Sequence, residues 1–501
     1  MKRSFISTIF YFVLLAAVAG AEERPNVLFI SVDDMNDWVG LTRSGYSGKV
    51  HVPNLKRLGS LGMTFDNAYT ASPVCCPSRT AVMLGMRPST SGIYNNGQWW
   101  FPHLPKAVSL PMAFRSNGYK AIGAGKIFHH TAGFNPPIQW DNFQRLLFND
   151  DPWFRGKKTN YPWSKPTKNP LGYPFSGVPG IPHEGDWGTI PGLDENKYDD
   201  SKTVDYVVSE LGKDQHKPFF LACGIFRPHL PWYAPKKYFD LYPIEEIVLP
   251  KILEDDLNDV PREGKQLAAS RRDDFIRIKK HNKWKEAIQA YLACISFADA
   301  QLGRVLDALK NSKYGENTII VFWSDHGWHL GEKNHWHKST LWEEATRIPF
   351  IMSVPGMTKE STHCKRPIDT LCIYPTLLEL CKMKPVNELD GISIVPLLKD
   401  PEIPWDVPAV SEFRRGQCSV RSERYRYIRY SDGTSELYDH LNDPMEWNNL
   451  SGEKYHDVIK ALERFIPGNF APKALSKNAY DFDPYSYTWI NKKTGKKING
   501  K

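Results

Sequence analysis

Hydrophobic positions along the chain fall into two textures, short unbroken apolar runs and longer stretches with helical spacing. The unbroken runs are Asn26–Val32 and residues 119–125, 217–223, 318–323 and 348–354. Runs of this length suit strands buried on both faces of a parallel sheet. Between them, residues 52–61 and 201–211 carry helical patterning. The strongest helix spans 287–309, where Ile288, Tyr291, Leu292, Ile295, Leu302, Val305 and Leu309 share a face. Alternating strands and helices predict an α/β fold, a doubly wound sheet flanked by helices.

Beyond Pro396 the texture changes. Short strands are expected at 409–413, 418–422, 425–430 and 436–439, with Ser431-Asp432-Gly433-Thr434 as the turn before the last, then a helix over 458–465. The expected layout is a leader at 1–21, a main domain at 22–399, and a C-terminal subdomain at 400–501. That subdomain holds a small antiparallel sheet, one helix and a polar, aromatic tail after Ala471. Residues 152–191 are rich in Pro, Gly and Trp without periodicity. Their Trp153, Tyr161, Trp163, Tyr173 and Trp187 predict a packed loop near the mouth of a site.

Composition is that of a globular protein, 41% hydrophobic and 24% charged. Lys2-Arg3, an apolar core from Ile9 to Val18, and Ala19-Gly20-Ala21 read as a secretory signal, so the mature chain is expected to be secreted or periplasmic. The apolar core is short for a membrane span, and no Cys follows it as a lipid anchor would need. The formal charge of +8 falls to +6 without Lys2 and Arg3. That mild excess suits an anionic substrate but argues against nucleic acid, since no dense basic block precedes the C-terminal tail. Eight cysteines in this length make no disulfide framework. Cys223, Cys294 and Cys372 read as core residues, and Cys364 with Cys381 is a candidate pair.

Four of the apolar runs end on polar residues: Asp33-Asp34, Lys126 with His129, Arg227 with His229, and Asp325-His326. Sites in open parallel sheets form beyond the carboxyl ends of the strands. Each ending has an ordinary alternative, a helix cap for Asp33-Asp34, a turn for Asp325-His326-Gly327, structural histidines for His129 and His229. Together they describe a metal site beside an anion site. Hard oxygen donors with one His favour calcium or magnesium over zinc. The aromatic, charged loop 328–338 follows directly.

The decisive stretch is Cys75-Cys76-Pro77-Ser78-Arg79-Thr80, running into a short apolar helix that ends at Gly85. Pro77 suits a first helical turn, which places both cysteines at a helix N-terminus that favours anions. Two adjacent cysteines alone would read as a buried cap. The string Cys-x-Pro-Ser-Arg followed by Thr-x-x-x-x-Gly, however, resembles the signature of type I sulfatases, whose Cys is oxidised to formylglycine.

The resemblance covers Pro25 to about Leu450 and is strongest to the iduronate-2-sulfatase branch and its bacterial relatives. It includes Asp33-Asp34, Gly85-x-Arg87-Pro88, Gly125-Lys126-x-Phe128-His129, Pro228-His229-x-Pro231, Ser324-Asp325-His326-Gly327-Trp328 and Lys338. It implies an alkaline-phosphatase-like mixed sheet, and makes 22–399 the catalytic sulfatase domain. The implied function is hydrolysis of sulfate esters of a uronic-acid or galactose-containing glycan. The implied partners are a sulfated oligo- or polysaccharide and a maturase that makes formylglycine from Cys75.

By the same resemblance Asp33, Asp34, Asp325, His326 and modified Cys75 (3-oxoalanine) hold one Ca2+. Arg79 and Lys126 steady the formylglycine hydrate, with Asp325 helping its attack. Lys126, Lys338 and His229 grip sulfate, His229 protonates the leaving oxygen, and His129 deprotonates the remaining hydroxyl. Arg227 replaces a Lys of that branch, and Trp99-Trp100 fall where it has an aromatic subsite, so both are expected to bind substrate. The alternatives are a phosphoesterase of the alkaline-phosphatase superfamily, whose Ser or Thr nucleophile and His-rich two-metal set this chain lacks, and a non-catalytic glycan-binding homologue.

Overall fold

The computed structural model describes residues 24–41, 45–129, 133–144, 174–270 and 272–501. The leader at 1–21 and Trp153, Tyr161, Trp163 and Tyr173 lie outside these residues. Among the described residues, no helix is long and apolar enough to cross a membrane.

The apolar runs form the centre of an eight-stranded sheet. Its order is Thr362–Cys364, Met63–Phe65, Phe350–Ser353, Thr318–Ser324, Asn26–Val32, Phe219–Gly224, Lys120–Gly125, Asn142–Gln144. Asn26–Val32 sits in the middle, parallel to both neighbours, with Ile30 opposite Phe322 on one side and Cys223 on the other. Phe350–Ser353 runs antiparallel to its two neighbours, so the expected fifth strand exists but makes the sheet mixed.

Alternation along the central strands separates two cores. Leu28, Ile30, Val32, Leu221 and Phe322 face one, with the helices Pro53–Ser60, Asp199–Leu211 and Trp284–Lys310. Val27, Phe29, Phe220, Val321 and Trp323 face the other, with Cys75–Leu84, Leu110–Ser116 and Ile373–Leu380. A sheet buried on both faces needs side chains that are apolar at every position, which is why these strands read as unbroken runs.

The C-terminal strands Ala409–Phe413, Gln417–Arg421, Tyr425–Arg429 and Ser435–Asp439 form an antiparallel meander, each within a residue of expectation. The turn forms where Gly433 takes φ +87°, the left-handed region that glycine occupies freely. One face packs Phe413, Ile428 and Tyr438 on Leu341 and Trp342, and the other packs Val420 and Leu437 on Leu462 of the helix His456–Glu463. Arg426, wholly buried, ties this sheet to the body through an ion pair with Glu343, and also pairs with Glu446 at 2.5 Å. Removing one partner of such a buried pair costs about 3–5 kcal/mol.

All eight cysteines are buried and free, so the Cys364–Cys381 pairing is not formed. Of the aromatic residues in 152–191, Trp187 lies in the core, its backbone paired in parallel with that of Trp232.

Candidate active site

The four polar strand endings converge at one end of the sheet. Asp33 and Asp34 follow the central strand, and Asp34 stands at φ +63°, a turn that an Asp tolerates better than most residues. Three neighbours fix that turn. Tyr291 of the long helix donates to the Asp34 carbonyl at 2.7 Å and accepts from the Asn36 N–H at 2.9 Å. Ser324 Oγ accepts from the Met35 N–H at 3.0 Å, and Asp325 Oδ1 accepts from the Asp34 N–H at 3.0 Å. The next strand delivers Lys126 through Gly125, at φ +74°, where a Cβ would lie 2.1 Å from the Gly224 carbonyl. Only glycine permits that approach.

Cys75 begins its helix with the side chain fully buried. The Asn96 Oδ1 accepts from the Cys76 N–H at 2.9 Å and so satisfies one free donor of the first turn. Around the Cys75 sulfur stand Lys338 Nζ at 3.0 Å and His326 Nε2 at 3.3 Å. Burial pushes the Cys75 thiol up against the pull of Lys126 and Lys338. An unmodified Cys75 therefore rests as a thiol, not as a thiolate nucleophile.

Arg79 is wholly buried beneath this group. Its Nε donates to Asp325 Oδ2 at 2.9 Å and its Nη2 reaches Asp33 Oδ1 at 3.3 Å. The remaining donors meet Ser31 Oγ and the carbonyls of Val32, Lys126 and Ile127. Arg79 is thus a strut beneath two carboxylates. Burial by itself would raise Asp325, but Arg79 and His326 hold it well below the usual carboxylate range.

One donor atom each from Asp33, Asp34, Cys75, Asp325 and His326 lies within 4.8 Å of every other. Asp34 Oδ2 is buried without a hydrogen-bond partner, and burial raises this carboxyl to about 7, helped by Asp33 and against Lys338. An orphaned carboxylate oxygen beside two more carboxylates and a histidine fits a divalent cation of the calcium class, the Cys75 sulfur being the one soft donor of the set. Glu343, His440 and Glu446 also lie close together, but Arg426 pairs with both glutamates, so that cluster is already neutralised.

Lys126 pairs with Asp33 Oδ2, and Lys338 Nζ lies 2.5 Å from Asp34 Oδ1. His229 Nε2 stands 3.9 Å from Asp33 and 3.8 Å from Asp34, while its Nδ1 meets the Leu230 carbonyl at 2.5 Å. Burial, with Lys126 adding to it, pushes both His229 and His129 well below the ordinary histidine value, so each rests neutral.

Three residues expected to bind substrate are buried. Arg227 is buried, donating from Nε to the Tyr233 carbonyl at 2.8 Å and from Nη1 to the His229 carbonyl at 3.4 Å. These two contacts brace the His229 loop. Trp100 is fully buried with its indole N–H on the Phe134 carbonyl, and Trp99 packs on Tyr480, Phe482 and Trp489. Neither tryptophan offers an open ring face for a sugar. In the other direction, sequence reading passed over Asn96, Tyr291 and Lys477. Tyr291 matched the apolar helix face, and nothing in the pattern distinguished its hydroxyl.

Comparison with known proteins follows this geometry. The Sulfatase family profile matches residues 25–383, and the profile of the N-sulphoglucosamine sulphohydrolase C-terminal region matches 331–467. A sulfatase of Formosa agariphila is 38% identical over 95% of this chain and 92% of its own length. Human iduronate 2-sulfatase is 33% identical over 66% of this chain and 60% of its own length. The crystal structure of a phosphonate monoester hydrolase of Agrobacterium radiobacter shares the fold, with a TM-score of 0.67 at 23% identity, over 88% of this chain and 94% of that one. With the family profile spanning most of the chain, and a relative of this identity matching nearly end to end, the protein belongs to the sulfatase family and is a sulfuric ester hydrolase.

Proposed function

We propose that the protein is an exported, formylglycine- and calcium-dependent sulfatase of sulfated glycans, with an iduronate-2-sulfatase-like preference for uronic-acid or galactose units. The observation that carries this reading is the cluster of Asp33, Asp34, Asp325 and His326 around Cys75, with one carboxylate oxygen left over. These residues, with modified Cys75, would hold the ion. A divalent ion there sets positive charge against the sulfate group being transferred. Formylglycine supplies a hydrated carbonyl, one hydroxyl to attack sulfur and a second to release sulfate afterwards.

The remaining work falls to this chain's own side chains. Lys126 and Lys338 grip the sulfate oxygens from two sides, as ammonium groups fixed against Asp33 and Asp34. Arg79 holds Asp33 and Asp325 in place from below. His129 rests neutral and so accepts the proton of the second hydroxyl. His229 also rests neutral, with its Nδ1 engaged by Leu230. As the acid its Nε2 would first take up a proton, which the anionic sulfate ester beside it favours, and the departing sugar oxygen would then take that proton. The relatedness to an enzyme named iduronate 2-sulfatase supports a sulfated uronic acid as substrate.

Sulfate release from defined 2-O-, 4-O- and 6-O-sulfated uronic acid and galactose oligosaccharides tests the substrate class. Peptide mass spectrometry across Cys75 tests its conversion. An unaltered thiol in fully active enzyme would overturn the formylglycine reading.

A further inference from the structure

The polar tail after Ala471 returns to the active site. It forms a three-stranded sheet, Tyr480–Asp483, Thr488–Asn491 and Lys497–Asn499. Phe482 and the fully buried Trp489 pack on Trp99, with ring centroids 5.2 and 6.3 Å away. The Lys477 N–H donates to the Gly97 carbonyl at 2.7 Å and the Ile138 N–H to the Gly500 carbonyl at 3.0 Å. The first of these contacts lies in the loop that supplies Asn96 to the cysteine helix, and the second in the chain that follows His129. Lys477 Nζ lies 5.4 Å from the Phe134 ring centre, and its charge is among the causes that depress His129. The tail sheet is therefore mounted on two segments that build the site.

Its exposed side is basic. Lys492, Lys493, Lys496, Lys497 and Lys501 are all exposed, and no acidic residue occurs after Asp483. The turn that carries them is ordered: Asn491 Oδ1 accepts the N–H groups of Lys493 and Thr494, each at 3.0 Å, and the Asn491 N–H meets the Lys496 carbonyl at 2.9 Å. Asp481 answers Lys492 at 3.4 Å, and Asp483 is engaged by Ser486. Among the described residues, Lys493, Lys496 and Lys497 form no ion pair. Ile490, the cross-strand neighbour of Lys497, is exposed and offers apolar surface against which a sugar ring can lie.

We propose that this lysine hairpin is a docking surface for a sulfated polysaccharide, holding the polymer while one of its esters enters the site over Cys75. The proposal rests on the glycan-sulfatase reading and adds to it a second point of attachment outside the catalytic cluster. Exposed charges act weakly one by one and are screened by salt, so the surface acts through several lysines on one polyanion.

The test uses the full chain in affinity electrophoresis through gels containing dextran sulfate, with neutral dextran as control. The Cys75→Ser chain is retarded by dextran sulfate alone, and added salt abolishes the retardation. The triple variant K493Q/K496Q/K497Q in the same background binds weaker by roughly fivefold or more, the scale of three exposed charges. In the wild-type background, that triple variant keeps its turnover of 4-nitrophenyl sulfate and shows a raised KM for polymeric substrate.

A control variant, K359Q/K384Q/K399Q, removes the same charge from exposed positions on other elements and leaves binding intact. Equal loss in this control, or no loss in the hairpin variant, overturns the proposal. Binding to phosphatidylserine vesicles without binding to dextran sulfate also overturns it. Retardation by dextran sulfate in a wild-type chain that releases no sulfate from any ester counts against the active-site reading, and leaves the hairpin surface standing.

Discussion

Replacing Arg79 by Lys keeps the charge and removes the fork, which makes it a direct probe of how the site is held. The guanidinium meets Asp325 at 2.9 Å and Asp33 at 3.3 Å from different nitrogens, and caps the carbonyls of Val32 and Ile127 at 3.1 and 3.2 Å. A lysine ammonium has three donors at a single point and cannot span these partners. At least one carboxylate contact is lost and one or more buried carbonyls are left unpaired. With about 1.5–3 kcal/mol for a charged hydrogen bond and about 1–3 for each orphaned group, the loss is at least about 2.5 kcal/mol. That corresponds to roughly sixtyfold in an equilibrium constant.

Urea unfolding followed by tryptophan fluorescence should show this as a lower midpoint. Calorimetric titration of calcium should show weakened binding, because Asp33 and Asp325 lose their support. Wild-type stability together with wild-type calcium affinity in Arg79→Lys would refute the assignment of Arg79 as the strut.

Further outcomes are expected. Cys75→Ser, produced in a host whose maturase oxidises only Cys, should lose sulfate release while keeping its fold, and undiminished turnover would contradict the proposed chemistry. Exhaustive chelation should abolish activity and calcium should restore it; a chelated enzyme at full rate removes the metal from the account. His229→Ala should slow sugar sulfates far more than activated aryl sulfates, whose leaving groups need no proton, and equal losses on both would take His229 out of the acid role. His329 is buried with its value well below 6.5, through burial and then His335. The unfolded chain therefore binds the extra proton, and stability should fall as pH drops below about 6.5, by up to about 1.4 kcal/mol per unit for this one group. Urea midpoints between pH 5 and 7 should show a shallower slope for His329→Gln than for the wild type.

The central sheet was legible because strands buried on both faces must be apolar throughout, and Asn26–Val32 and its neighbours are. The short strands Met63–Phe65, Asn142–Gln144 and Thr362–Cys364 were not, being three residues each and too short to show a period. The antiparallel direction of Phe350–Ser353 leaves no mark in the periodicity of its residues. The metal-ligand candidates were legible from strand endings and the family motif. The burial of Trp99, Trp100 and Arg227 was not legible, because a sequence does not say which way an aromatic ring or a guanidinium points. The tail sheet escaped notice since its burial depends on Trp99, almost four hundred residues away in the chain.

The enclosure of Cys75 has a consequence for how the protein is made. Its sulfur sits under Lys338 and His326 with no exposed surface, and Lys338 comes from far downstream in the sequence. Any enzyme that alters this side chain must therefore reach it while the polypeptide is still open. Under the formylglycine proposal, chemical maturation would have to precede closure of the fold, and a molecule that folded first would stay in its unprocessed form.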